Sequence, residues 1–380
     1  MSRLHSDFLL PLFHPDRHTG LGRRLRALEH FDTLSRHEQA ALQEQRVRAI
    51  LDHAYLSCPY YRLICDEIGF RAADWRAAQP IPLPELTRSL LCGNLEDIGS
   101  RAFRGDRLRR FVTACGPAPR IALDCDLEGL RDQTAVEYHL DRLSGFDHAS
   151  RVLRIEEGAP GHDGRSAGRW RLLAESLLDR AHCCALPGDD ASLRGIVDTL
   201  NRWNPEVVCA RSGALLRLAA CLRSSGMRWR TPRLVVAVGE SLTADERRAI
   251  GETFSCDVTV HYARCEFGKI AVECEAGRLH FHPWACYVEL LPAGRVPAGP
   301  LYRLVITGLL NYGMPLLCYD TEDCVLFDES RCPCGCWYPS VAAVLPRSAG
   351  LPAFSAPGSI SGPLPAGQPC LPREDKTSVA

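Results

Sequence analysis

The run Val236-Ala-Val-Gly-Glu-Ser-Leu242 is followed by Tyr262-Ala-Arg-Cys-Glu-Phe-Gly268, Glu273-Cys274 and Leu279-His-Phe-His282. Asn311-Tyr-Gly-Met-Pro-Leu-Leu-Cys-Tyr-Asp-Thr-Glu-Asp323 and Cys332-Pro-Cys-Gly-Cys336 complete the series. Leu234–Val238 has the length and unbroken apolar character of a buried strand, and Gly239-Glu240 ends it. Thr243 and Glu246 form a capping box opening a helix to Phe254, and Val258–Tyr262 is again a strand. Strands alternating with helices of this length predict an α/β layered domain.

The alternation extends upstream. Asp190 caps a predicted helix carrying Leu193, Ile196, Val197, Leu200 and Trp203 on one face, Val207–Ala210 is a short buried strand, and Ser212 caps a helix ending near Gly226. Gly158–Gly168 reads as a loop, and a helix is expected over Leu127–Leu143. Residues 108–125 read as strand, Gly/Pro loop, strand, and residues 21–56 as helix, broken at Cys58-Pro59 before a shorter helix to Ile68. From Leu279 to Phe327 strands dominate. The expected organisation is therefore a helical part over 1–110, an α/β core over 111–278, a β-rich subdomain over 279–345 and a tail over 346–380. That tail is rich in Pro, Gly, Ser and Ala, and is expected to be disordered.

Hydrophobic residues make up 46% and charged residues 24% of the 380-residue chain, as in ordinary globular proteins. A net charge of −1 argues against nucleic acid as a partner. No apolar run is long enough for a membrane span, and the start has no signal-peptide core, so a cytoplasmic location is expected. In that compartment the 19 cysteines should be thiols or metal ligands. Only Cys332, Cys334 and Cys336 cluster as ligands do. Lysine occurs twice, at Lys269 and Lys376.

Taken together, and with Ala49-Ile-Leu-Asp-His-Ala-Tyr-Leu-Ser-Cys-Pro-Tyr-Tyr-Arg62, these segments resemble the phenylacetate-CoA ligase-like branch of the adenylate-forming enzymes, which includes capsular-polysaccharide-associated ligases. The likeness covers roughly residues 8–347. It implies a large α/β N-terminal domain, with ATP and a carboxylic acid bound and an acyl-adenylate formed. The acyl group would pass to CoA, a carrier-protein thiol or an amine. By the same resemblance Gly239 and Glu240 border the adenine, Tyr262 stacks near it, Asp323 takes the ribose hydroxyls and Glu266 helps hold Mg²⁺. Thr113 and Gly116 belong to the phosphate loop. The catalytic assignments are Glu266 and Thr113; Gly239, Glu240, Tyr262, Asp323 and Gly116 bind the nucleotide. The acyl pocket is expected between the helix after Ser212 and the segment near Tyr262. Relatives often pair, which leaves a homodimer open.

Cys274 and His280 lie five residues apart and Cys332 and Cys334 one apart, a donor set of three sulfurs and one nitrogen suited to a tetrahedral structural Zn²⁺. Cys336 and His282 are alternates. Such a zinc would clip the β-rich subdomain together.

Three departures from the branch stand out. Thr113-Ala-Cys-Gly-Pro-Ala-Pro119 replaces a hydroxyl- and glycine-rich phosphate loop, and its two prolines offer no N–H. Cys318-Tyr-Asp-Thr-Glu-Asp323 stands where relatives have Arg-Tyr-x-x-Gly-Asp, so a permanent positive charge is lost. The C-terminal lid with its lysine has no counterpart here beyond Lys376. Two expectations follow: an acid-activating ligase with impaired activity, or a non-catalytic relative that binds a nucleotide or acyl ligand. A zinc-ribbon interaction module is a third, supported only by the cysteines.

Overall fold

The N-terminal third is helical because its apolar residues recur at helical spacing and its breakers fall between the helices. The computed structural model describes residues 15–77, 79–112, 121–147, 150–156, 181–185, 190–328, 330–346 and 362–363. Helix α1 spans Leu21–Thr33, α2 Arg36–Ser57 and α3 Pro59–Glu67. The single helix expected over 21–56 is thus two. Ser35 accepts the Glu38 N–H and Glu38 reaches back to the Ser35 N–H, a capping box that starts α2 afresh. Pro59 opens α3, where a missing N–H costs nothing.

Strands β1 (Leu108–Val112) and β2 (Ala122–Asp126) form a separate antiparallel pair. Helix α4 (Leu127–Leu143) follows at once. The buried Asp126 carboxylate caps it by accepting the Gly129 N–H at 2.8 Å, and also accepts the backbone N–H groups of Tyr312 and Gly313. One side chain thus ties the start of α4 to the 311–315 loop.

Next come β3 (Val152–Glu156), β4 (Ala181–Ala185), α5 (Asp190–Trp203), β5 (Val207–Arg211), α6 (Ser212–Ser225), β6 (Leu234–Val238), α7 (Ala244–Phe254) and β7 (Asp257–Arg264). Strands β4, β3, β5, β6 and β7 lie side by side and parallel. β5 and β6 are apolar nearly throughout, as strands covered on both faces must be. Ser212 is the first residue of α6 rather than its cap, and its hydroxyl donates to the Glu240 carbonyl. The capping box of Thr243 and Glu246 is present as expected.

The sheet continues antiparallel through β8 (Gly268–Glu273), β9 (Leu279–Phe281) and, after a long excursion, β13 (Ser340–Val341), making eight strands. That excursion builds a second, antiparallel sheet from β10 (Cys286–Val296), β11 (Gly299–Gly308), β12 (Tyr319–Leu326) and β14 (Ala343–Pro346), with Gly362–Pro363 pairing on its far edge. Leu279–Phe281, expected in the β-rich part, therefore belongs to the larger sheet. The Gly158–Gly168 loop and the rest of the tail lie outside the described residues.

Both sheets and the N-terminal helices share one core, which includes Val47, Ile50, Tyr262, Phe281, Leu304 and Tyr319. Gln43 of α2 donates to the carbonyls of Pro283 and Cys286, and Tyr61 of α3 donates to that of Pro315. Among the described residues no helix is long and apolar enough to cross a membrane.

Candidate active site and metal centre

Two backbone irregularities face each other where β7 meets β12. The β7–β8 register shifts between Tyr262 and Ala263. In β12, Arg303 pairs with Cys324 but Val305 pairs with Asp320, so Thr321, Glu322 and Asp323 bulge out. Bulges of this kind re-aim side chains. Here the Tyr262 hydroxyl donates to Asp323 Oδ2 at 2.7 Å and Arg264 donates to the same oxygen at 3.1 Å. Arg264 Nε lies 3.5 Å from Glu266 Oε2. Glu266 Oε1 accepts from the Tyr319 hydroxyl at 3.0 Å and from Arg88 at 3.2 Å.

Tyr262, Glu266 and Asp323, expected from sequence to share a site, therefore belong to one hydrogen-bonded network. Two acids and two arginines balance its charge. Burial, reinforced by Glu240 and Glu266, raises the Asp323 pKa above the ordinary carboxylate value, while Arg264 and Tyr262 pull it down. Burial holds the Tyr262 phenol well above its usual value. The Tyr262 ring is 1% exposed and meets Phe281 edge-on at 5.8 Å, so its faces are already covered. Asp323 Oδ1 takes no hydrogen bond among the described residues.

Gly239 and Glu240 form the turn after β6. Gly239 has φ 117°, a conformation open to glycine, and its N–H donates to the His261 carbonyl at 2.9 Å. Ser241 exchanges hydrogen bonds with the backbone of Val344, which pins the turn to β14. Glu240 is exposed and within electrostatic reach of Asp323. Thr113 and Gly116 lie outside the described residues.

Arg88, Arg264 and Tyr319 were not singled out from sequence. Arg264 was visible, two residues from Tyr262 on the same strand. Arg88 reaches Glu266 from 178 residues upstream and leaves no local signal. The surroundings of Glu266 do not fit a resident Mg²⁺. Two guanidinium groups already flank the carboxylate, whereas a hard cation needs several oxygen ligands.

Beside Glu266 opens a cavity of about 160 Å³. Its walls come from β1, β2, α4, the turn 265–268 and the segment 308–316. It adjoins the segment after Tyr262, while α6, expected to border the acyl pocket, contributes no lining residue. Burial pushes the Cys125 thiol in this wall up to about 12, so it stays neutral. Fourteen described cysteines are free, and Cys265 is disulfide-bonded, contrary to the expectation of thiols and ligands alone.

The metal-ligand candidates also converge. The donor atoms of Cys274, His280, Cys332 and Cys334 lie within 4.8 Å of one another. Sγ of Cys332 is 3.5 Å from that of Cys274 and 3.3 Å from that of Cys334, which is 3.4 Å from His280 Nε2. Tetrahedral zinc–thiolate bonds of about 2.3 Å place sulfurs about 3.7 Å apart, so the spacing fits. His280 Nδ1 lies 3.1 Å from the Tyr338 carbonyl, to which it donates, and this leaves Nε2 bare for a cation. The Cys336 N–H donates to Cys334 Sγ at 3.4 Å. The alternates are accounted for differently: Cys336 supplies that N–H, and the buried His282 packs against Phe31, His139 and Tyr338.

No family model matches the chain. It is 23% identical over 332 residues to a phenylacetate-coenzyme A ligase of Thermus thermophilus, covering 83% of this chain and 72% of that one. It is 22% identical over 296 residues to protein CapK of Staphylococcus aureus, covering 75% of this chain and 62% of CapK, under two thirds of its length. The chain is thus similar in sequence to members of the phenylacetate-CoA ligase-like branch of adenylate-forming enzymes, the branch its motifs resemble. A solved 2-hydroxyisobutyryl-CoA ligase, in the postadenylation state with an acyl-AMP, superposes with a TM-score of 0.67 at 16% identity, covering 87% of this chain and 72% of that one. The same ligase with 2-HIB-AMP and CoA gives 0.65 at 15% identity, over 83% and 68%. At these identities the likeness is one of fold.

Proposed function

We propose that this chain activates a small carboxylic acid with ATP as an acyl-adenylate and transfers the acyl group to CoA or another acceptor. The observation that carries this is the joining of Tyr262, Glu266 and Asp323 in one network beside a cavity of about 160 Å³. Relatives that are CoA ligases, and a like-folded ligase holding an acyl-AMP, support the same reaction class.

The residues divide the work by their chemistry. Asp323 Oδ1 accepts the ribose hydroxyls while Oδ2 stays fixed by Tyr262 and Arg264. Tyr262 braces that aspartate, its covered ring being no platform for a base. The turn Gly239-Glu240 borders the adenine. Arg264 and Arg88, freed in part from Glu266, face the phosphates and supply the positive charge that Cys318 lacks. Glu266 holds the two arginines apart until substrate arrives. Thr113 and Gly116 are retained in this proposal as phosphate-loop residues. Cys274, His280, Cys332 and Cys334 hold a structural Zn²⁺, which joins the β8–β9 hairpin to the loop before β13. With four protein ligands it has no open position for chemistry.

The sequence of the 113–119 loop favours a second proposal, a relative that binds nucleotide or acyl ligands without turnover. Pyrophosphate release with ATP, Mg²⁺ and a panel of short acids separates the two. Release with at least one acid supports the ligase; AMP binding with no release across the panel supports the binder.

A further inference from the structure

The cavity beside Glu266 is apolar over most of its wall, where Phe111, Leu123, Leu130, Phe267 and Leu316 meet, and Arg17, Asn311, Gln133 and Glu137 add polar groups to it. Gln133 and Glu137, one helical turn apart on α4, both line it. Gln133 Nε2 donates to the Lys269 carbonyl at 3.1 Å and, more weakly, to Glu137 Oε1 at 3.4 Å. The Lys269 N–H reaches the same Oε1 at 3.4 Å. Glu137 Oε2 takes no hydrogen bond among the described residues. The carboxylate is thus fixed by one oxygen, with the other left to accept. Arg154 lies within electrostatic reach of it.

The backbone is shaped around this pair. Gly268 has φ 68°, and a Cβ there would meet Gln133 Nε2 at 2.5 Å and Glu137 Oε1 at 2.6 Å. A side chain at 268 would therefore displace both groups, and glycine lets them stand against the strand.

We propose that this cavity seats the side chain of the acid and that Glu137, oriented by Gln133, selects a compact aryl acid carrying a hydroxyl or amino group. The inference rests on the acid-activating function proposed above and deepens it. Size follows from volume, because a protein cavity of about 150 Å³ holds a benzene ring. A six-membered ring with one small substituent fits; a long alkyl chain does not. Polarity follows from Glu137, whose unbonded oxygen offers a hydrogen-bond acceptor. It rewards a donor, leaves an unsubstituted ring with a desolvated carboxylate opposite it, and repels a second carboxylate. The acid's own carboxyl group points out of the cavity toward Glu266 and the arginines.

The test compares benzoate, 3- and 4-hydroxybenzoate, terephthalate and hexadecanoate as substrates for pyrophosphate release by the wild-type chain and by Glu137→Gln. One hydroxybenzoate is expected to exceed benzoate by about tenfold, the difference a hydrogen bond to a charged group makes. Terephthalate and hexadecanoate should fall below both. In Glu137→Gln, with an unchanged melting temperature as the folding control, the hydroxybenzoate-to-benzoate ratio should collapse by about tenfold. Equal use of hexadecanoate or terephthalate, or an unchanged ratio in the variant, would overturn the selectivity while leaving acid activation standing. If no acid releases pyrophosphate, equilibrium dialysis of the labelled acids decides. The same order of binding supports the cavity's selectivity and removes the catalytic proposal, whereas no binding of any aryl acid overturns the inference itself.

Discussion

Glu322 has φ 62° and Cys318 φ 48°, left-handed conformations that side chains with a Cβ adopt at a cost of roughly 1–2 kcal/mol. Glu322 lies in the β12 bulge that presents Asp323 and Cys318 immediately precedes β12, and 322 is the position where the resembled branch carries glycine. The backbone has kept the shape while the residue suited to it has been replaced. Glu322→Gly should therefore stabilise the chain by about 1 kcal/mol, read as a higher urea midpoint with unchanged slope. A lower midpoint would mean that the Glu322 side chain contributes more than its backbone strain removes. His261 offers a second residue-scale prediction. It is 0% exposed, stacks on Phe146 with ring centroids 6.0 Å apart and lies 2.7 Å from Ser144 Oγ. Burial, followed by the charges of Lys269 and Arg154, holds its pKa well below the usual 6.5. Below about pH 6.5 the unfolded chain takes up a proton that the folded chain refuses, so stability present above that pH is lost as the pH falls. The loss approaches about 1.4 kcal/mol per pH unit for one such group. His282, lowered to about 3 by burial, acts in the same sense. Urea midpoints measured from pH 7.5 to 5 should fall, and His261→Gln should flatten the slope; an equal slope in the variant would count against this account.

At the scale of elements, the proposed zinc site adds a covalent clamp to two pieces of chain already joined by Arg278, which donates to Asp328 and Ser330, and by the Phe281 N–H, which donates to the Pro339 carbonyl. β13 has two residues, Ser340 pairing with His280 and Val341 with Leu279. Metal analysis should give one zinc per chain, and Cys332→Ser should abolish it and lower the melting temperature by several degrees, since metal-binding energy is folding energy where the site is structural. Full zinc content in Cys332→Ser would remove Cys332 from the ligand set. These four donors were legible in the sequence because thiols and imidazoles at such spacings have few other uses. The strands and helices from 207 to 264 were equally legible, since apolar runs and capping residues are local signals. The break at Leu34-Ser35 was missed because the helical periodicity on either side masked the Ser35 cap. Arg88 and the pair Gln133–Glu137 were out of reach for a different reason. Their meaning comes from residues far away in sequence, and nothing near them in the chain records it.

At the scale of the whole molecule, the eight-stranded sheet brings β7 to the strand where parallel pairing gives way to antiparallel, and the second sheet delivers β12 against it. The candidate site lies where the two meet, built from Arg88, Arg264, Glu266, Tyr319 and Asp323. Glu266 and Asp323 were singled out from the sequence, Arg264 and Tyr319 lay within the quoted motifs without being singled out, and Arg88 came only from the fold. The central claim is that this junction receives a nucleotide, with Asp323 on its ribose. The direct measurement is calorimetric titration of AMP into the wild-type chain and into Asp323→Ala, both checked for folding by circular dichroism. We predict one site per chain in the wild type and an affinity at least about tenfold lower in the variant; no heat of binding in the wild type, or equal affinities in the two, would contradict it.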